Sequence, residues 1–243
     1  MSDNIELNAV LEKPDNVDKC PLCFIIHGFT GNCEERHLLA VAETMRRNGI
    51  AALRVDMYGH GKSGGRFEDH TLYKWLTNGM DVIDHIRTLG FVTDIYLCGH
   101  SQGALLAILL AGMERDTVSK LFALSPAVMI PDEARRGQTL GISYDPLNLP
   151  PSIPIWNGCN LDSNYIRVAQ TIDVDAAIEK IRIKTFIANG SLDATVDPSI
   201  ASEAARKFAD CIYVEVPGDT HCYDNNLEYL TSELDRYLIS TKS

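Results

Sequence analysis

Between residues 95 and 114 the chain runs from a short apolar strand, through a glycine-flanked serine, into a helix with almost no polar side. Gly99-His100-Ser101-Gln102-Gly103 is the join, and the stretch 102–114 that follows is apolar on nearly every face. Such a helix has to be covered all round. The rest of the chain supplies the covering layers. Strand-like runs at 22–26, 50–55, 118–124, 185–188 and 211–216 alternate with helical periodicities at 32–48, 71–88 and 225–239, and with a helix opened by Asp197-Pro198. Asn32 with Glu35 three residues on reads as a capping signal for the helix at 32–48, and Gly49 as its stop. Alternation of this kind predicts an α/β chain with a mostly parallel sheet and helices on both faces.

One stretch breaks the alternation. Residues 127–178 carry Pro131, Pro146, Pro150, Pro151 and Pro154 and no long periodic run, but also Tyr144, Trp156 and Tyr165. Aromatic and aliphatic content marks it as an ordered insertion, of the sort that forms a lid or binding wall. The expected organisation is a core of 1–126 and 179–243 with an inserted lid at 127–178.

A length of 243 residues suits one such domain, and 45 % hydrophobic with 23 % charged residues is ordinary for a globular chain. The formal net charge of −11 disfavours nucleic acid and anionic membrane surfaces as partners. No apolar run is long enough for a membrane helix, and the N-terminus lacks the basic and apolar parts of a signal peptide. The seven cysteines are odd in number and scattered, which is no disulfide framework. These features predict a cytoplasmic location. Cys20 and Cys23 match C-x-x-C but lead into an apolar run and read as small hydrophobes. Asp69-His70 and His221-Cys222 have no further ligands at suitable spacing, so neither metal nor cofactor is expected. Gly61-Lys62-Ser63 is no phosphate loop, because Asp56 stands where the first glycine of that motif belongs.

The chemistry is concentrated at Ser101. A serine hydroxyl becomes a useful nucleophile only when a base takes its proton. G-x-S-x-G at a strand-to-helix turn lifts the side chain clear of the sheet and aims a helix N-terminus at developing negative charge. The N–H of Gln102, just after the nucleophile, and that of Phe29 in His27-Gly28-Phe29-Thr30-Gly31 are candidates for the oxyanion hole. Of the seven histidines, His221 lies in the loop after the last strand, over the strand ends where Ser101 sits. His37, His70 and His85 read as surface or boundary residues. Asp193, directly after the strand at 185–188, can reach the far nitrogen of His221. Asp197 is explained as a helix cap, and Asp219 is too near His221 in sequence to reach round its ring. The order Ser101, Asp193, His221 is the one the G-x-S-x-G turn accompanies on open parallel sheets.

HGFTG at 27–31, DMYGHGKS at 56–63, GHSQG at 99–103, Asp193 and GDTHCYD at 219–224 with the preceding glycine together resemble the bacterial cinnamoyl (feruloyl) esterases of the α/β-hydrolase fold, in particular those of rumen and intestinal bacteria. The insertion pieces around Ser125, 141–146 and 165–170 extend the resemblance over nearly the whole chain. It implies cofactor-free hydrolysis of ferulate, p-coumarate and caffeate esters by Ser101, His221 and Asp193, an oxyanion hole from Phe29 and Gln102, and a cap holding the aromatic acyl group. Glu133 and Tyr165 would then approach the substrate ring. The partner implied is a small aromatic ester, and the family is compatible with a homodimer. Asn189-Gly190 and Val196-Asp197-Pro198 depart from the family's usual His-Gly and Val-Pro about the acid. Aliphatic esters, monoacylglycerols or thioesters as substrates, and a non-catalytic small-molecule binder on the same scaffold, remain the alternative readings.

Overall fold

The computed structural model describes residues 4–241. Seven strands form one sheet in the order β1-β3-β2-β4-β5-β10-β11. They are β1 (Ala9–Glu12), β2 (Cys20–Ile26), β3 (Ala51–Val55), β4 (Val92–His100), β5 (Val118–Leu124), β10 (Lys184–Gly190) and β11 (Cys211–Val216). All neighbours from β3 to β11 run parallel, and only β1 is antiparallel, pairing Ala9 with Val55 and Glu12 with Ala52. β1 was not anticipated from sequence. Ala9, Val10 and Leu11 are a run of only three apolar residues, partly exposed on a sheet edge and too short to announce a strand.

The central strands are apolar on both faces because both are covered. In β2, Leu22, Phe24 and Ile26 join one core and Cys23 and Ile25 the other. In β5, Leu121 and Ala123 face the first and Phe122 and Leu124 the second. α2 (Leu72–Thr88) and α3 (Gln102–Met113) cover the first face, while α1 (Arg36–Arg47) and α8 (Leu227–Ser240) cover the second. Every residue of α3 from Gln102 to Gly112 is buried, as its all-round apolarity requires.

Two helices start where their sequences indicate. The Thr71 hydroxyl accepts the N–H of Lys74 at 3.1 Å at the head of α2. Asp197 accepts the N–H of Ser199 at 2.9 Å at the head of α7 (Pro198–Ala205). α1 differs from expectation. It begins at Arg36, Glu35 occupies the N-cap without a side-chain bond, and Asn32 instead accepts the N–H of Glu34 in a turn. The cause lies in Asp56, whose Oδ1 takes the N–H of Cys33 at 2.7 Å and holds this stretch against the sheet end as a loop.

Residues 127–178 leave the sheet after β5 and form α4 (Ile130–Arg135), two short hairpins, β6 (Gln138–Thr139) with β7 (Ile142–Ser143) and β8 (Ser152–Pro154) with β9 (Asn160–Asp162), then α5 (Ser163–Thr171) and α6 (Val174–Ile178). α4 packs on α5, and α6 lies so close on α3 that a Cβ at Gly112 would stand 2.8 Å from the carbonyl of Ala177. No helix among the described residues is long and apolar enough to cross a membrane.

Candidate active site

Parallel strands deliver their C-terminal ends to one rim, and the loops there can share a site. β4 ends at His100, and Ser101 follows with φ +56° and ψ −120°, a backbone conformation that L side chains rarely adopt. The turn is pinned from both directions. The N–H of Ser101 donates to Leu124 O at 2.9 Å, and its carbonyl accepts from Ala104 and Leu105. A Cβ on Gly99 would lie 2.1 Å from the Gly103 carbonyl oxygen, and one on Gly103 only 2.2 Å from that of His27. Both glycines are there because the backbone passes too close for any side chain.

Asp193 sits in the loop after β10, 4 % exposed. Its Oδ1 accepts the N–H groups of Thr195 and Val196, each at 2.9 Å, and its Oδ2 lies 2.8 Å from His221 Nδ1. Burial alone would push this carboxyl up, but the His221 bond and the two backbone donors outweigh it and hold it below the ordinary aspartate value. His221 stands in the loop after β11. Asp219 shapes that loop, accepting the N–H groups of Asn225 and Asn226 at 3.0 Å each. His100, next to Ser101, holds the His221 loop in place, its Nε2 lying 2.8 Å from the carbonyl oxygen of His221.

Ser101 and His221 face one cavity of about 470 Å³. Phe29 and Gln102 line it too, and the N–H groups of these two residues meet no acceptor among the described residues. The turn carrying Phe29 is braced by two buried histidines. His27 Nε2 accepts from Met57 N at 2.9 Å, and His60 Nε2 from Thr30 N at 3.3 Å. The opposite wall comes from residues 127–178, including Ile130, Leu140, Trp156 and Tyr165. The Phe29 ring lies 5.6 Å from that of Trp156 and 6.0 Å from that of Tyr165.

The Tyr165 hydroxyl donates to Gln102 Oε1 at 2.7 Å, which ties α5 to the first residue of α3. Glu133 lines the cavity, and burial raises its carboxyl above the ordinary value. Cys222 also faces it, but burial pushes its thiol up to about 11, so the neutral thiol prevails near pH 7 and the sulfur is a poor nucleophile. His37 and His70 correct the sequence reading. They are 2 % and 0 % exposed, not surface residues, whereas His85 is exposed. Glu35 is another wall residue, with no sequence signal beyond that of a helix cap.

The family model described as serine aminopeptidase, S33 matches residues 18–146. A solved structure with ferulic acid bound to Est1E from Butyrivibrio proteoclasticus is 50 % identical, covers 98 % of this chain and 96 % of that one, and superposes with a TM-score of 0.96. The chain belongs to the S33 serine aminopeptidase family. The hydrolase is matched again by a second Est1E structure, at 47 % identity, 98 % and 95 % coverage and a TM-score of 0.92. These whole-chain matches bear out the resemblance that the motifs carried. A monoacylglycerol lipase from Paleococcus ferrophilus, 18 % identical over 97 % of this chain and 99 % of that one with a TM-score of 0.73, shares the α/β-hydrolase fold. No curated protein matches the hydrolase.

Proposed function

We propose that the hydrolase is a serine carboxylesterase that releases hydroxycinnamic acids from their esters, with Ser101 as nucleophile, His221 as base and Asp193 as the acid that orients it. The observation that carries the reading is the 2.8 Å contact between His221 Nδ1 and the buried Asp193 carboxylate, beside a cavity that Ser101 also faces. An Nδ1–H donated to Asp193 leaves the lone pair of the imidazole on Nε2, where it can accept the serine proton. Ser101 Oγ adds to the ester carbonyl, and the oxyanion is met by the N–H groups of Phe29 and Gln102 at the head of α3. Each such donor contributes about 3–4 kcal/mol to the transition state. The imidazolium then protonates the departing alcohol. Water, deprotonated by His221, cleaves the acyl-enzyme and restores the serine.

The substrate class is supported by the Est1E structure that holds ferulic acid and by the aromatic and aliphatic side chains of Phe29, Ile130, Leu140, Trp156 and Tyr165, which line the cavity that Ser101 faces. On this reading residues 127–178 act as the cap over the acyl group. Rates on methyl ferulate and p-nitrophenyl butyrate, together with labelling by a fluorophosphonate, test it. Wild type should prefer the ferulate ester in kcat/KM and label once, and Ser101→Ala should lose about 10⁶-fold in turnover and all labelling. Labelling that persists in Ser101→Ala removes the mechanism, and a preference for the butyrate removes the substrate class.

A further inference from the structure

Beside the triad lies a second cluster, of which the esterase mechanism engages only the Nε2 of His100. Glu35, His37 and His100 each bring a ligand-type atom within 4.8 Å of the other two. Each also holds a buried polar atom with no hydrogen-bond partner among the described residues: Glu35 Oε2, His37 Nε2 and His100 Nδ1. Three orphaned acceptors or donors around one point are unusual, since buried polar groups nearly always have partners. The two histidines are 2 % and 3 % exposed, and their rings meet edge to face with centroids 4.2 Å apart.

Two details make this a built pocket. The tautomer of His100 is already set: its Nε2 meets His221 O at 2.8 Å, so the N–H is on Nε2 and the Nδ1 lone pair is available. Metal-binding histidines are commonly fixed in this way, by donating the remote N–H to a backbone carbonyl. The space is also lined by a glycine turn. A Cβ on Gly28 would stand 3.2 Å from His100 Nδ1, and one on Gly31 only 2.5 Å from Glu35 Oε2. Side chains at those positions would fill the space in front of both ligand atoms.

We propose that Glu35, His37 and His100 form a binding site for a divalent transition-metal ion of the zinc class, taken by Glu35 Oε2, His37 Nε2 and His100 Nδ1. Two imidazoles and a carboxylate are a donor set that Zn²⁺ uses, at bond lengths of about 2.0–2.2 Å, with a further position open to water. Movements of under about 1 Å per side chain close the present spacing to that geometry. Glu35 and His100 line the substrate cavity, which gives the ion a route in. Binding does not depend on the esterase reading, but its kinetic effect does. A dication held by His100, whose other nitrogen carries the His221 carbonyl, stands beside the imidazolium that must form in the transition state and opposes it. Zinc is therefore an inhibitor at this site.

The test uses the full chain, freed of metal by chelator and titrated with Zn²⁺ by calorimetry, followed by anomalous diffraction at the zinc edge. Wild type, Ser101→Ala and Cys222→Ser should each bind one equivalent, with the anomalous peak between residues 35, 37 and 100. His37→Phe keeps an aromatic ring against His100 but lacks the ligand atom. It should bind at least tenfold more weakly, as should Glu35→Gln, which guards against a folding defect in the first variant. Zinc should lower kcat in wild type, reversibly with chelator, and leave whatever activity His37→Phe has unchanged. A peak at His221 or Cys222, a water at the three-residue point in zinc-soaked crystals, or equal affinity in both ligand variants overturns the proposal. If binding is as expected but kcat is unmoved, the ion site stands and the inhibition inferred from its closeness to His221 is overturned, whereas failure of the esterase reading shows separately in the fluorophosphonate labelling of Ser101→Ala.

Discussion

The carboxylate of Asp193 divides its oxygens: Oδ2 holds His221 Nδ1 at 2.8 Å and accepts a longer bond of 3.4 Å from Asn189 Nδ2, and Oδ1 takes the N–H groups of Thr195 and Val196. Asp193→Asn keeps an oxygen for the two backbone donors but turns an NH₂ toward His221, and Asn189 Nδ2 keeps its bonds to the carbonyls of Gly190 and Val196. The imidazole must then accept at Nδ1 and carry its proton on Nε2, where it cannot take one from Ser101. Turnover of methyl ferulate should fall by about 10⁴-fold with the thermal midpoint nearly unchanged. A fall of less than tenfold would show that His221 does not depend on this partner.

The glycines about Ser101 should be irreplaceable for steric reasons. Gly103→Ala puts a methyl group 2.2 Å from a backbone oxygen that no side-chain rotation can clear. Its urea midpoint should report a loss of about 3 kcal/mol or more. Gly90→Ala is the control, because nothing lies within 4 Å of a Cβ there, and it should stay within about 0.5 kcal/mol of wild type. Equal effects at the two positions would argue against close approach as the reason for Gly103.

Tyr165→Phe should be costly despite its small change in shape. Gln102 is fully buried, and its amide nitrogen already has no partner among the described residues. Removing the Tyr165 hydroxyl orphans Oε1 as well, a loss of about 1–3 kcal/mol. On the proposed mechanism the same residue offers its N–H to the oxyanion, so kcat on methyl ferulate should drop with little change in KM. A variant with wild-type stability and kcat would mean that Gln102 is held by other contacts.

Acid should weaken the fold through buried histidines. Burial first, then the neighbouring His60 for two of them, holds His27 and His70 down at about 3, and burial holds His60 at about 4. An unfolded histidine titrates near about 6.5. Between those values the unfolded chain binds more protons than the folded one, so stability is full above about pH 6.5 and declines as pH falls toward about 4. The slope is at most about 1.4 kcal/mol per pH unit for each histidine. Urea midpoints at about pH 7 and about pH 5 should differ accordingly, and His70→Gln should reduce the difference. Identical midpoints in wild type would mean that these rings are charged in the fold.

Much of this architecture could be read from local pattern. The bounds of β5 and β11 match the apolar runs that announce them, and the Thr71 and Asp197 caps act on signals written in consecutive residues. What escaped was set by residues far apart in the chain. Asp56 bonds to Cys33, Lys62 and Asn8 and so keeps the segment before α1 out of the helix, whatever Asn32 and Glu35 suggest in isolation. His37 sits on an amphipathic helix like any boundary histidine, and the rings of His100 from β4 and Tyr223 from the loop after β11 arrive to bury it. Motifs located Ser101, Asp193 and His221 because strand ends fix loop positions. Nothing comparable marks Glu35, which becomes a cavity residue only when the 28–31 turn folds over it.

The cavity has two origins: its hydrolytic side rises from the ends of β2, β4, β10 and β11, and its apolar side from one uninterrupted stretch between β5 and β10. The stretch is not a free-standing part, because its α5 is tied to Gln102 by Tyr165 and its α6 lies against Gly112 of α3. New acyl groups are therefore open to descendants of such a chain through single changes at wall positions such as Leu140 and Trp156, which leave those two anchors in place.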